Sequence, residues 1–465
     1  MQTVLCIAPV LVTLLALGFG VRSMYSALLG VLAALLAASI GFPIALAGLP
    51  TTLVRWGPIL TEVLAIIGGG LLLSEVLRNA GAQAELANWV KSRAGSGVGA
   101  VLLVVHGITP FAESLTGFGI GITIGIPLLA NFGLTPRNVV VIGLLGLCTI
   151  PWGSMGPGTM IAAKMADLPF HDLGVSSGFV SLVPLVVTGV VAAWLVALPG
   201  ARAGAAVKGV LSGAALTLAI TAFNSVFGTS AAGALGSLVI ILVHFVKTAK
   251  ISASPLTGAA RRALASYVVL LAGVLIGGWL GRMAELPYVL RLIASPAPWL
   301  IVATFFFTRG VPSIQSRRRA WASWLQVAPV TGLFIVLGMV MTISGMATYL
   351  AQVISQSGRA YLAIAPFVGA MGGLITGSNA GANAMFAATQ AEIARSLGVS
   401  VLWFMAIHNV AAAFMMMASP GKIEMAMQLA HSDAQQYRRW AQRMLLGVAF
   451  VVVTLLAISS MVIFN

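Results

Sequence analysis

The chain has 465 residues, of which 59% are hydrophobic and only 8% charged. Soluble proteins carry roughly a quarter charged residues, so the side chains for a water-facing surface are missing and a soluble globular fold is excluded. The formal net charge of +15 does not point to nucleic acid, because the basic residues sit in short stretches between apolar segments and no soluble fold backs a basic face.

Apolar segments of bilayer-crossing length, about 20 residues, recur from end to end. Residues 1–20 form the first; no basic residue precedes the apolar run, so a retained span is expected rather than a signal peptide. Segments 26–48, 178–198, 265–280, 327–343 and 444–464 are further examples, and 207–247 reads as two spans. Cys6 and Cys148 lie in apolar runs and are expected to pack rather than pair. Glu62 and Glu75 are expected towards the ends of the third span, at the interface.

Segments 97–130 and 360–392 differ from the others in having small, polar, glycine-rich centres. A straight helix of that length would run about 50 Å against a hydrocarbon core of about 30 Å. Two half-length helices meeting at a tip would fit, as a re-entrant hairpin. Such irregular backbone is tolerated at membrane depth only where protein or a water-filled cavity surrounds it.

The two regions also match each other. At an offset of about 263 residues, AGAQAELANWV (80–90) faces SGMATYLAQVI, TPFAESLTGFG (109–119) faces GGLITGSNAGAN, and Phe132-Gly133-Leu134-Thr135 faces Leu397-Gly398-Val399-Ser400. Gly156-Pro157-Gly158-Thr159-Met160 then faces Ser419-Pro420-Gly421-Lys422-Ile423. Residues 1–465 are read as one membrane transporter domain, with a first repeat at 58–200 holding hairpin 97–130 and a second at 327–465 holding hairpin 360–392. Paired interrupted segments of this kind point to the binding site of a secondary transporter.

Charge distribution favours the hairpins. If both segments return to their starting side and twelve other spans cross, 18 of the 25 Lys and Arg residues share one face. They include Arg78, Lys91, Arg93, Arg202, Lys247 and the run Arg317-Arg318-Arg319. Arg55, Lys164, Arg282, Arg291, Arg359 and Arg395 lie opposite. Counting both segments as crossings abolishes the bias. The expected fold is therefore all-α and polytopic, with about 12 transmembrane helices and two re-entrant hairpins in inverted repeats. Both termini are expected in the periplasm.

Ten acidic residues are present, so an acid inside the membrane is a functional candidate by default. Glu113 stands at the first tip and could take up and release a proton; the alternative is a carboxylate that caps a half-helix or pairs with a base. Ser114, Thr116 and Gly117 beside it are substrate-binding candidates. At the second tip, Thr376, Gly377, Ser378, Asn379 and Asn383 offer hydroxyls, amides and a close backbone approach, and amides opening a half-helix favour an anion. Tight packing of small residues explains the glycines and alanines there but not Ser378, Asn379 or Asn383.

Proline-containing breaks follow each hairpin, at 151–159 and 418–422. Ser419 and Lys422 are binding candidates in the second, and Lys422 or Lys164 could balance a carboxylate, although Lys164 also suits a helix end reaching the interface. His106 and His408 are candidate proton carriers, with simple hydrogen bonding as the alternative. No metal, nucleotide or nucleophile motif is present, so neither an enzyme nor a cofactor is expected.

These motifs resemble the lactate permease family, bacterial carriers of L-lactate, D-lactate and glycolate. The family's E-G-A-A-G-F-G element stands here as Glu113-Ser114-Leu115-Thr116-Gly117-Phe118-Gly119. Its T-G-S-D-T-S-S-N-x-L-F element stands as Thr376 to Phe386, with Gln390 following, and its S-P-Q-S-I element as Ser419 to Ile423. Two departures make the site more positive: Asn379 replaces the tip aspartate, and Lys422 adds a base. The resemblance implies a proton symporter of a small organic anion, a monocarboxylate such as lactate or glycolate, in the bacterial inner membrane. A sodium-coupled carrier of another carboxylate, a sulfonate or an inorganic anion, and a passive anion channel, are the alternatives. The expected partners are the anion and membrane lipid, with a homodimer as a candidate assembly and no nucleic acid.

Overall fold

In the computed structural model, residues 1–44, 49–117, 119–249, 255–283, 292–430 and 432–464 are described; Phe118 of the first tip and Arg291 of the charge count lie outside them. Every element among these residues is helical. Helices α1 (Gln2–Gly18) and α2 (Ser23–Gly41) pack together through Gly30, where a Cβ would stand 2.0 Å from Thr13 Oγ1. Helix α3 (Leu49–Asn79) places Glu62 mid-helix rather than towards an end. Glu75 is buried within the protein, and the guanidinium groups of Arg78 and Arg319 both reach it. The short α4 (Ala82–Ala94) follows left-handed Gly81.

The first interrupted segment comprises α5 (Gly97–Leu103), a wide turn over Val104–Ile108, α6 (Thr109–Thr116) and, after left-handed Gly117 and Gly119, α7 (Ile120–Ala130). The chain doubles back on itself. A Cβ on Gly121 would lie 2.4 Å from the Thr109 carbonyl oxygen, and one on Gly125 would lie 2.1 Å from Thr109 Oγ1 and 3.4 Å from Val104 Cγ1. Later residues of α7 thus meet earlier residues of the other limb, and only glycine allows the approach. Lys91, just before the segment, donates to Asn131 Oδ1 at its end (3.3 Å).

Helix α8 (Pro136–Leu145) then breaks, and α9 (Pro157–Met165) resumes after a turn at Ile150–Met155 in which Ser154 and Met155 are left-handed, with φ of 41° and 66°. Helices α10 (Phe170–Val180) and α11 (Leu182–Val196) meet at a 41° bend. The 207–247 region holds two helices, α12 (Arg202–Phe227) and α13 (Thr229–Lys247). Next come α14 (Gly258–Met283), α15 (Pro296–Thr308), α16 (Ile314–Ile343) and the short α17 (Met346–Ser355).

The second interrupted segment has limbs α18 (Tyr361–Thr376) and α19 (Asn379–Ser396), joined at left-handed Gly377. Tyr361 at its start accepts a hydrogen bond from Gln390 near its end (2.9 Å), so these limbs also lie side by side. Helix α20 (Val401–Met415), a break at Met416–Ala418, α21 (Pro420–Leu429) and α22 (Arg438–Phe464) complete the chain. The order long helix, short helix, doubled-back pair, broken helix thus occurs twice, opening at Leu49 and at Ile314.

Among the described residues, 11 helices are long and apolar enough to cross a membrane, or up to 12 if each bent pair is one span. Large apolar side chains such as Leu218, Val246 and Val462 are 70% or more exposed, an outer face that only lipid accommodates. The chain is an all-α polytopic membrane protein.

Candidate functional site

Four helices begin at one place inside the bundle: α7 after the first tip, α19 after the second, and α9 and α21 after the two breaks. Each starts where glycine or proline interrupts the preceding segment: Gly119, Gly377, the Gly156-Pro157 pair and Pro420. Around them lies a cavity of about 270 Å³, lined by Glu113, Ser154, Gly158, Asn379, Thr331 and Lys422 among others. Drug-sized ligands need roughly 300–1,000 Å³, so this space suits a smaller solute. A helix start presents unpaired N–H groups and about half a positive charge. Four of them together make a region suited to an anion.

Glu113 already serves one of these ends. It is buried, and its two carboxylate oxygens accept from Gly119 N–H (2.9 Å) and Gly121 N–H (3.0 Å). The half-helix-capping geometry is therefore present. Lys422 comes close as well: a Cβ on Gly119 would stand 2.7 Å from its Nζ. The cavity thus holds one acid and one base, with the starts of α9, α19 and α21 around them. On α19, Ser378 Oγ accepts from Gly381 N–H (3.2 Å), and Thr376 Oγ1 accepts from Ser378 N–H (3.2 Å), so the second tip is braced by its own hydroxyls.

Behind the cavity wall a network of amides joins the two halves. Asn409 Oδ1 accepts from Asn379 Nδ2 (3.1 Å) and Asn383 Nδ2 (2.9 Å). Its own Nδ2 donates to Thr159 Oγ1 (3.0 Å) and Ser177 Oγ (3.1 Å). Asn383 also donates to the Gly158 carbonyl (3.2 Å), and Thr159 donates to the Pro151 carbonyl (2.6 Å). The second tip is thereby tied to the first break and to α10.

Glu113, Thr376, Gly377, Ser378, Asn379 and Lys422 all line the cavity. Asn383 stands one bond behind it in the network, and Ser419 lies against Gly377, where a Cβ would be 3.3 Å from its Oγ. Gly117 abuts Ser154 in the same way. Ser114 faces Gly233 of α13, and Thr116 donates to the Ala112 carbonyl of its own helix (2.6 Å). The histidines lie elsewhere. His106 bonds Ser212 (2.8 Å) and Thr188 (3.2 Å) between α11 and α12, and His408 packs on Gly369 of α18. Lys164 lines a separate cavity of about 530 Å³, together with Met155 and Met160. Ser154 and Met155 therefore stand back to back, one facing each cavity.

Three contributors had weaker signals in the sequence. Asn409 is, with His408, the only strongly polar residue of α20, and an amide carries less chemical signal than the imidazole beside it. Ser154 lines the cavity with a hydroxyl that has no protein partner among the described residues, and its left-handed backbone was not legible. Gly158 is required by its neighbour: a Cβ there would stand 2.6 Å from Asn379 Nδ2.

A polar cavity at the meeting of four helix starts, enclosed in a multi-pass membrane bundle, places the chain in the architectural class of membrane transport proteins. Sequence comparison narrows the class. The L-lactate permease family model matches residues 280–462, which carry the second doubled-back pair and the second broken helix. An L-lactate permease of Streptococcus iniae is 26% identical over 463 residues, covering 88% of this chain and 94% of that protein. An L-lactate permease of Escherichia coli (strain K12) is 23% identical over 393 residues, covering 70% and 71%. The chain is thus similar, at low identity, to proteins named L-lactate permeases.

Proposed function

We propose that this chain is a proton-coupled secondary carrier of a small monocarboxylate such as lactate or glycolate, working by alternating access in the bacterial inner membrane. The observation that carries this reading is the convergence of helix starts and Lys422 on one small cavity that also holds a buried carboxylate, Glu113. The free hydroxyl of Ser154 and the start of α19 would receive the substrate carboxylate.

The charges supply a reason for coupling. With Glu113 ionised, the acid offsets Lys422 and the start of α7. With Glu113 protonated, an uncompensated positive charge remains and an anion binds better. A unit charge about 6 Å away is worth about 3 kcal/mol at an effective dielectric of 20, enough to make anion binding depend strongly on the proton. Proton and monocarboxylate then load together, and the site's net charge is the same full or empty.

Contacts at the two ends of the bundle support twelve crossings, two re-entrant hairpins and inverted repeats. Lys91 with Asn131, and His244 with the Ala94 carbonyl (2.8 Å), join residues that the charge count puts on the basic face. Arg55 with Asp167 (2.9 Å), and Arg395 with the Ala166 carbonyl (2.6 Å), join residues of the opposite face. The central cavity reaches Ser23 and the exposed Gln326, towards the basic, cytoplasmic face. The cavity beside Lys164 and His171 lies on the periplasmic side of Met155. This arrangement fits an inward-facing state.

Uptake of labelled lactate into proteoliposomes tests the reading. Accumulation should follow an inward proton gradient and survive replacement of sodium by choline, and Glu113→Gln should abolish the gradient dependence. A Gln variant that still concentrates substrate with the gradient, or accumulation that needs sodium, would overturn proton coupling.

A further inference from the structure

An apolar groove of about 650 Å³ runs along the bundle between α3, α15 and α16 and shares no lining residue with the central cavity. Leu64, Ala65, Gly68 and Leu72 form one wall; Trp321 and Trp324 form another, with rings stacked at 4.9 Å and 14°. Two of the polar groups of these walls are already committed to backbone. Trp324 Nε1 donates to the Leu64 carbonyl (3.0 Å), and Thr61 Oγ1 donates to the carbonyls of Gly57 (3.1 Å) and Pro58 (2.9 Å). Apart from the indole N–H of exposed Trp321, nothing among its side chains offers water a partner until its end, where Arg317 stands exposed. Its neighbour Arg319 reaches Glu75 (3.6 Å), whereas Arg317 forms no ion pair among the described residues.

Length and charge together identify an occupant. From Leu72, near the arginines, to Thr61 the groove follows α3 for about 16 Å at 1.5 Å per residue. That is about half of a 30 Å hydrocarbon core, the depth of one leaflet. A dry channel one leaflet deep, with a free guanidinium at the interfacial end, matches an acyl chain beneath a phosphate. We propose that the groove is a binding site for an anionic phospholipid of the basic-face leaflet, its acyl chain lying between Thr61 and Leu72 and its phosphate held by Arg317. Trp321, one turn of α16 from Arg317, is the kind of side chain expected where an apolar body meets a wet headgroup, and Trp324, which bonds the Leu64 carbonyl, lines the groove deeper down.

Native mass spectrometry of the purified full chain, with phosphatidylglycerol and phosphatidylcholine added in turn, tests this. Phosphatidylglycerol should be retained in preference. Arg317→Gln should weaken its retention about fivefold, the factor that one basic residue near an anionic leaflet is worth, and weaken that of phosphatidylcholine, whose choline offsets its phosphate, less, while Arg317→Lys restores it. Ala65→Phe, which fills the groove, should displace both lipids. Equal retention by wild type, Arg317→Gln and Ala65→Phe would overturn the proposal. So would an Ala65→Phe protein that changes oligomeric state with its lipid complement intact, since the groove would then join copies of the chain. Should a variant not fold, phosphatidylglycerol brominated on its acyl chains should quench wild-type fluorescence more than that of a Trp321→Phe/Trp324→Phe protein; equal fractional quenching refutes the site.

Discussion

Asn409→Leu removes all four hydrogen bonds of the amide that joins the second tip to the first break. The partners are unequally affected. Asn383 keeps the Gly158 carbonyl and Asn379 Oδ1 (3.0 Å), and Thr159 keeps the Pro151 carbonyl, but Asn379 Nδ2 loses its acceptor. A buried donor left unpaired costs about 1–3 kcal/mol, and each net hydrogen bond lost adds about 1 kcal/mol. Leucine fills the space and keeps water out, so a loss of about 2–4 kcal/mol is expected. Alanine leaves room for a water that can replace some of these bonds, and about 1–2 kcal/mol is expected. Asn409→Asp retains the acceptors for Asn379 and Asn383 but brings a negative charge towards a cavity suited to an anion. Its KM for monocarboxylate should rise more than that of the alanine variant, whatever its stability. Thermal unfolding of the purified proteins and counterflow exchange in proteoliposomes measure the two effects separately. Wild-type stability and exchange in the leucine variant would refute the network as the element that positions Asn379.

Three further outcomes follow from the same geometry. Lys422→Met should raise KM about ten- to hundredfold with protein yield maintained, since hydrogen bonds to charged groups are worth about 1.5–3 kcal/mol; an unchanged KM in initial-rate uptake would remove Lys422 from the anion site. Gly158→Ala should depress exchange strongly, because the new methyl would stand 2.6 Å from Asn379 Nδ2, while Gly421→Ala, which meets nothing within 4 Å, should not. His106→Gln should cost about 1–2 kcal/mol through its bonds to Ser212 and Thr188 yet keep uptake responsive to the proton gradient; loss of that response in a stably folded variant would make His106 part of the proton path.

Composition and spacing carry the fold a long way here. Segments too long for one span and too polar at their centres imply doubled-back pairs, and Gly121, Gly125 and Gly372 are the residues that let the limbs touch. The tips were legible because Glu113, Ser378 and Asn379 are costly in an apolar setting. What the sequence conceals is direction. Ser114 follows Glu113 in the chain, but a helix turns about 100° per residue, so it faces α13, and Thr116, on nearly the same face as Glu113, spends its hydroxyl on the Ala112 carbonyl. The histidines looked chemically apt for the same reason that Asn409 looked ordinary: residue type says what a side chain can do, not which neighbours it meets. Ser154 was hidden more deeply, because its left-handed backbone follows from packing of the whole break.

That break bears on how the proposed mechanism could switch. Ser154 faces the central cavity and Met155 the one beside Lys164, so two residues of backbone separate the spaces that the proposed cycle opens in turn. Both residues are left-handed without being glycine, at φ 41° and 66°, a conformation that costs of order 1–2 kcal/mol per residue. Such strain persists only where the surroundings enforce it, and here the enforcing contacts come from both halves: Gly117 of the first tip lies against Ser154, while Asn383 and Asn409 hold Gly158 and Thr159 just beyond it. Relaxation at Ser154 therefore requires a shift of the second tip. In the proposed cycle the same tip receives the substrate carboxylate, so occupancy of the site and integrity of the partition act on one set of hydrogen bonds. A carrier needs that link, since a partition that opened independently of occupancy would conduct the anion passively.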